Sequence, residues 1–488
     1  LSCTSVTESS PPPFPPPSPS PAAPPPPFPP PPSPVGWGWG LLGGDDVDLQ
    51  GDAAFQFSAE SVSISFDGSR VAIGAPSADG TDGAPFGGRV RVLEYNASTT
   101  SWDKVGDDLL GDGQLDGFGK KVGLSNDGKM LAVAAPSHGF EDLGVVRVYE
   151  ELANSWSQIA PDLTGDESFA WYGSDIAFST NNTKRLAVAG GKTSDGVFTG
   201  VVRAYYLHHY YFHTDDMWVQ AGEDISDFAY ASAVSGTDHA ALQTNLGVSD
   251  DGLTLAIGTP LSTNDDDEVS AGATKVYRYA SKTWTQLGSA FAGVNAGDLL
   301  GSAVDVSGDG ARVAIGSPGW GKNSDSLGRV AVYQLNEDGM TWDPVGSAIT
   351  GERRHDRLGS SVSLSSDGSM LAIGVTGADG VEQGDSWGED SGKTRLFQYT
   401  SGVWIELGTA PLGEATGDRA GSAVSLSGGG TRVVVASTGN DGLGVNVDAG
   451  AARVYEWTAA PDGTVMPPPP APSPPPTDPP PPPESPPS

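Results

Sequence analysis

The sequence holds one cysteine, Cys3, in 488 residues, so no internal disulfide can brace the fold. Basic residues are also scarce. Against 61 aspartates and glutamates stand 26 lysines and arginines, a formal net charge of −35, and such a chain repels phosphate backbones and anionic membrane surfaces. Nucleic acid is thereby excluded as a partner. No apolar run reaches the roughly 18 residues that a transmembrane helix needs. No stretch carries an apolar 3.6-residue spacing free of glycine, which rules out a helical solenoid. Proline is thin through the middle of the chain: of 41 prolines, 17 lie in Pro11–Pro34 and 15 in Pro467–Pro487, leaving nine elsewhere. We therefore expect a proline-rich segment over 1–34, one globular region over 35–466 and a second proline-rich segment over 467–488. Because the sequence opens at Leu1 without a charged and apolar leader, processing from a longer precursor is expected.

What the middle does contain is a repeat. The segment Leu300–Gly310 and the segment Leu358–Gly368 are one motif, 58 residues apart. Its Asp-Gly turn recurs at Asp67-Gly68, Asp127-Gly128, Asp251-Gly252, Asp309-Gly310 and Asp367-Gly368, with degenerate copies at Asn181-Asn182 and Gly429-Gly430, which makes seven. After each turn comes an apolar run such as Val71–Gly74 or Val313–Gly316, then a loop, then an alternating segment such as Arg147-Val148-Tyr149. A tryptophan segment closes the unit, at Trp102, Trp156, Trp218, Trp284, Trp342 and Trp404. Four short strands per unit, joined by tight Asp-Gly hairpins, describe a propeller blade.

The seventh unit ends without its tryptophan strand, and that strand turns up at the other end of the chain. Trp39–Asp52 copies Trp102–Asp112 ahead of the first full unit. The expected fold is therefore all-β: a seven-bladed β-propeller with four-stranded blades, closed by the N-terminal strand so that no sheet edge is left open, with polyproline II or disordered tails.

Phe118-Gly119 and Leu300-Gly301 stand before the first strand of their units, and Ile73-Gly74-Ala75-Pro76, Val133-Ala134-Ala135-Pro136 and Ile315-Gly316-Ser317-Pro318 end the second. This pattern resembles the FG-GAP repeat of integrin α-subunit heads and of many microbial and algal surface proteins, over Trp37 to about Met466. The resemblance implies an extracellular propeller that meets partners through the loops on one face. The family's turn between the first two strands often carries an Asp-x-Asp-x-Asp-Gly calcium loop; here it is contracted to Ser-x-Asp-Gly, as in Ser125–Gly128, which offers one carboxylate and suits a tight hairpin. No metal and no cofactor are expected. The proline-rich ends resemble hydroxyproline-rich cell-wall glycoproteins, and such runs form semi-rigid polyproline II rods. Two sequons, at Asn96 and Asn181, are candidate glycosylation sites.

Candidate ligand-binding residues lie in the loops expected on one face. Phe86, Trp320 and Trp387 are aromatics set among acids, a combination that stacks on sugar rings while carboxylates take hydroxyls. Arg353, Arg354 and Arg357 form the one basic cluster of an acidic chain and suit a carboxylate or sulfate. His208, His209 and His213 are too few on one strand face to make a zinc site, and Asp265–Glu268 reads as a solvated loop. No nucleophile–base pair and no phosphate-cradling loop is recognisable. The expectation is a non-catalytic extracellular module of the cell surface or cell wall, in adhesion or structure, binding a matrix or wall protein. The alternatives are a lectin-like glycan binder and, third, a glycan-active enzyme with carboxylates at the ring axis.

Overall fold

The computed structural model describes residues 38–43, 49–50, 58–139, 141–179, 184–194, 197–208, 216–226, 243–264, 266–321, 325–379, 390–408, 411–441 and 449–458. The proline-rich ends, and with them the expected rods, lie outside the described residues. Apart from a single 3-10 turn at Thr81–Gly83, every regular element among the described residues is a β-strand.

Seven antiparallel sheets follow one another along the chain, six of them with their four main strands in sequence order. Blade I comprises Ser61–Ile64, Arg70–Ala75, Arg89–Asn96 and Ser101–Lys104; blade V comprises Ala303–Val306, Arg312–Ser317, Arg329–Leu335 and Trp342–Pro344. Blades II, III, IV and VI begin at Lys121, Asp175, Asn245 and Leu358. Blade VII takes Ala420–Leu426, Arg432–Ser437 and Ala451–Thr458 from the end of the chain and its fourth strand, Gly38–Leu41, from the beginning. Gly38 pairs with Thr458 and Leu41 with Tyr455, so the ring is sealed by the strand expected to seal it.

The second strand of each blade reads as a continuous apolar run because it is covered on both faces. In Met130–Ala135 and Met370–Val375 every residue is buried. The seven cores sit between blades rather than within them: Val90 and Val92 of blade I pack with Val122, Leu131 and Val133 of blade II. Contact this close requires glycine at defined points. Gly119 stands at φ 90°, and a methyl group on Gly74 would fall 2.0 Å from the Gly119 carbonyl oxygen. Tyr172-Gly173 fills the same place in blade III, with Tyr172 fully buried and Gly173 at φ 93°.

Two side-chain devices recur at several junctions between blades. Tryptophans of the fourth strand donate their indole N–H to the previous blade at five of them, as Trp102 does to Leu42 O (3.0 Å), Trp156 to Val105 O (2.9 Å), Trp284 to Ala221 O (2.7 Å), Trp342 to Leu287 O (3.0 Å) and Trp404 to Val345 O (2.8 Å). Arginines at the start of the second strand reach the next Asp-Gly turn, as Arg70 does to Gly128 O (3.1 Å) and Arg312 to Gly368 O (2.8 Å).

The Ser-x-Asp-Gly turn uses its carboxylate internally. In the turn of blade II, Ser125 Oγ donates to Asp127 Oδ1 (2.6 Å), which also accepts Lys129 N–H (3.0 Å), and Ser125 Oγ accepts Met130 N–H (2.7 Å). Burial works to raise the Asp127 carboxyl, but the bonds from Ser125 and Lys129 prevail and hold it below the ordinary carboxylate value. Asp67 and Asp367 are lowered in the same way.

Candidate functional site

The loops that enter blades II, III, V, VI and VII each dock on the second-to-third loop of the blade they leave, so the two loop classes share one face. Gly117 N–H donates to Phe86 O, Trp171 N–H to Asp142 O, Leu299 N–H to Ser270 O, Arg357 N–H to Ser326 O and Arg419 N–H to Asp390 O. An aspartate shapes four of these five entering loops from below, Ala170 taking its place in the loop of Trp171. Asp298, Asp356 and Asp418, almost fully buried, each accept two backbone N–H groups of their own loop, and Asp116 accepts Gly113 N–H.

The structure brings part of the expected site together. Trp320 and the arginine segment meet at the junction of blades V and VI: Arg354 pairs with Asp325 of the Trp320 loop (2.9 Å), and His355 N–H donates to Asp325 O (2.7 Å). Arg353, Arg354 and Arg357 are exposed. Trp320 is half-buried, with the Arg329 guanidinium 5.7 Å from its ring centroid. It stands where blades I, II, IV, VI and VII carry Ala78, His138, Ser262, Ala378 and Asn440, each donating its N–H to the residue three back.

Phe86, 49% exposed, belongs to the same face but to blade I, away from that junction. Trp387 and Asn181 lie outside the described residues, as do Asp265, His209 and His213. The Asn96 Nδ2 that a glycan would occupy donates to Asp103 Oδ2 (2.8 Å) in an exposed turn. His208 is exposed beside Tyr206. Asn264 Oδ1 gathers the N–H groups of Asp266 and Glu268, which makes that acidic run a closed turn. Among the described residues no group of three or more histidine, cysteine or acidic side chains is arranged to hold a metal ion.

A second feature was not read residue by residue from the sequence. The first strands of all seven blades line an axial cavity of about 240 Å³, together with Phe66, Asn126, Asp250, Gly308, Ser366 and Gly428 from the hairpin turns. Two carboxyls face it, from adjacent blades. Asp305 Oδ2 accepts Leu364 N–H of blade VI (2.7 Å), the place that Ser63, Ser363 and Ser425 hydroxyls fill elsewhere in the ring. Asp250 Oδ2 accepts Ser366 Oγ–H (2.6 Å) from two blades away, passing over Gly308, where a methyl group would fall 2.3 Å from that oxygen. Burial pushes the Asp305 carboxyl up to about 6; bonds from Leu364, Val306 and Ser363 pull against this, and the charge of Asp250 adds to it.

No protein-family model matches the chain, and no curated protein does either. Among solved structures, it is similar to a propeller from Bacteroides uniformis named a candidate 6-phosphogluconolactonase, at 14% identity and a TM-score of 0.46, covering 72% of this chain and 85% of the other. A second, from Bacteroides fragilis and with the same name, is 13% identical with a TM-score of 0.44, covering 75% and 86%. The seven four-stranded sheets define the class as a seven-bladed β-propeller. One expectation is corrected. Two carboxyls distant in the sequence line one cavity at the ring axis, so the exclusion of catalysis drawn from missing local motifs does not stand.

Proposed function

We propose that this propeller is a binding module of the cell surface or cell-wall matrix, engaging a matrix protein through its loop face. The observation that carries this reading is the junction of blades V and VI, where the Trp320 loop and the Arg353–Arg357 loop are hydrogen-bonded into one surface. In a chain of net charge −35 this is where exposed cations and a half-buried indole coincide. The FG-GAP-like motifs and proline-rich ends support an extracellular setting with the propeller held between spacers, and the aromatic among acids leaves a glycan as the alternative ligand. The test is binding of the full chain to a panel of matrix glycans and wall proteins, with and without calcium. Binding lost on Trp320→Ala and on Arg353→Gln/Arg354→Gln supports the reading; binding that both variants leave intact overturns it.

A second reading rests on the axial cavity. A carboxyl that keeps its proton to about pH 6, beside a second carboxylate, is the pairing that general acid catalysis on glycosides uses. Turnover of a polysaccharide panel that Asp305→Asn abolishes would support it, and an inert parent protein would remove it.

A further inference from the structure

In the loops that enter blades II, III, V, VI and VII, a residue shortly before the first strand is held in the left-handed region. Trp171, Leu299, Arg357 and Arg419 have φ of 41°, 57°, 54° and 53° there, and Gly117 has 65°. Both sides of the position are fixed. Its N–H donates to the second-to-third loop of the preceding blade, and its carbonyl accepts the N–H three residues on, as Arg357 O does from Ser360 and Arg419 O from Ser422. Glycine, as in blade II, meets this geometry without strain. Blades VI and VII place an arginine there instead, both exposed, on consecutive blades at the loop-face end of the inner strands.

The acids of these two loops are already engaged. Glu352 pairs with Lys393 (3.2 Å) and Arg395 (3.6 Å), and Glu414 pairs with Arg453 (2.7 Å). Asp356 and Asp418 are buried under their own loops. Among the described residues Arg357 and Arg419 have no ion-pair partner. Their separation is set by one strand pairing and one contact between blades. Leu358 pairs with Val375 in blade VI, and a methyl group on the adjacent Gly374 would fall 2.0 Å from Gly421 O of blade VII, so roughly 10 Å lies between the two backbones. Two extended arginine side chains are long enough to span that gap.

Hydroxyls stand beside Arg357. Ser360 Oγ donates to Arg357 O (2.7 Å) and lies 2.9 Å from Thr376 Oγ1, so Thr376 gives its proton to Ser360 and keeps its own lone pairs for an incoming hydroxyl. Paired guanidiniums take an oxyanion bidentately, and a hydroxyl acceptor beside them takes a polyol.

We infer that Arg357, Arg419 and Thr376 form a receptor for a sugar carrying a single oxyanion, carboxylate or sulfate, at the mouth between blades VI and VII. This rests on the loop-face binding reading and names its ligand class. The surroundings select against polyanions. Screening at physiological salt acts over about 8 Å, so the two arginines govern the near charge while the remaining charges of a polymer meet an acidic protein.

The experiment is calorimetric titration of the full chain with galacturonate, galactose 6-sulfate and galactose. One or both acids are expected to bind at least about tenfold more tightly than galactose. Which of the two binds better tells carboxylate from sulfate. Arg357→Gly and Arg419→Gly keep or raise the melting temperature, because glycine suits the backbone, while acid binding falls about tenfold or more in each; Arg357→Lys keeps the charge, loses the fork and recovers part of it. Equal binding of galactose and the acids, acid binding unchanged in both glycine variants, or no acid binding by the parent protein overturns the inference. A wall protein or glycan that binds the parent and both glycine variants alike, and is lost on Trp320→Ala, removes this inference and leaves the loop-face reading standing.

Discussion

Trp39 and Trp457 meet at the seam of the ring, with ring centroids 5.5 Å apart, on paired strands that come from opposite ends of the chain. The seam lacks a bond that five other junctions have. Among the described residues Trp39 Nε1 is buried without a hydrogen-bond partner, whereas Trp102 donates to Leu42 O.

Trp39→Ala is therefore expected to cost roughly 3 kcal/mol or more, as other large aromatic truncations in cores do. Trp39→Phe should cost less than Trp102→Phe by about 1 kcal/mol, because only the second leaves a buried carbonyl unpaired. Denaturant unfolding of the three variants measures both differences.

Gly74→Ala places a methyl group 2.0 Å from the Gly119 carbonyl oxygen between blades I and II. The cost should be about 1–3 kcal/mol, the range of overpacked cores, and Gly429→Ala serves as a comparison, since nothing lies within 4 Å of a Cβ there and its φ is not positive. Thermal melts of the two variants check the ranking.

Two sets of aspartates make opposite contributions to the pH dependence of stability. Asp67, Asp127 and Asp367 are lowered from 3.8, so the stability they contribute is present above that value and lost as pH falls through their folded values. Asp305 is raised from 3.8 to about 6, so its contribution is complete below 3.8 and is lost as pH rises through about 6. Asp305→Asn should remove that fall and leave the protein more stable than the parent above pH 6. Melting temperature against pH, for the parent and the variant, shows whether the slope disappears.

The ring could be read from the sequence because its determinants repeat. Ser125-Asn126-Asp127-Gly128 and its copies are local turns whose bonds close within six residues, and the misplaced tryptophan strand at Trp39 follows from counting. The exclusion of catalysis failed because it asked for local motifs, whereas Asp250 and Asp305 meet only at the axis of the folded ring. Arg419 was missed for a related reason. Nothing around it in the chain resembles Arg353–Arg357, and its equivalence to Arg357 appears only when the left-handed loop positions of successive blades are superposed. Trp320 was singled out as an aromatic among acids, and its placement in a turn position otherwise held by small or polar residues emerged from the backbone pattern.

Hydrogen–deuterium exchange of the full chain, with and without saturating galacturonate, locates the ligand most directly. Slowed exchange in 353–360, 376–379 and 414–422, with the Ser-x-Asp-Gly turns unchanged, is the expected result. Protection confined to the Ser-x-Asp-Gly end of the ring or to the outer strands would contradict binding on the loop face.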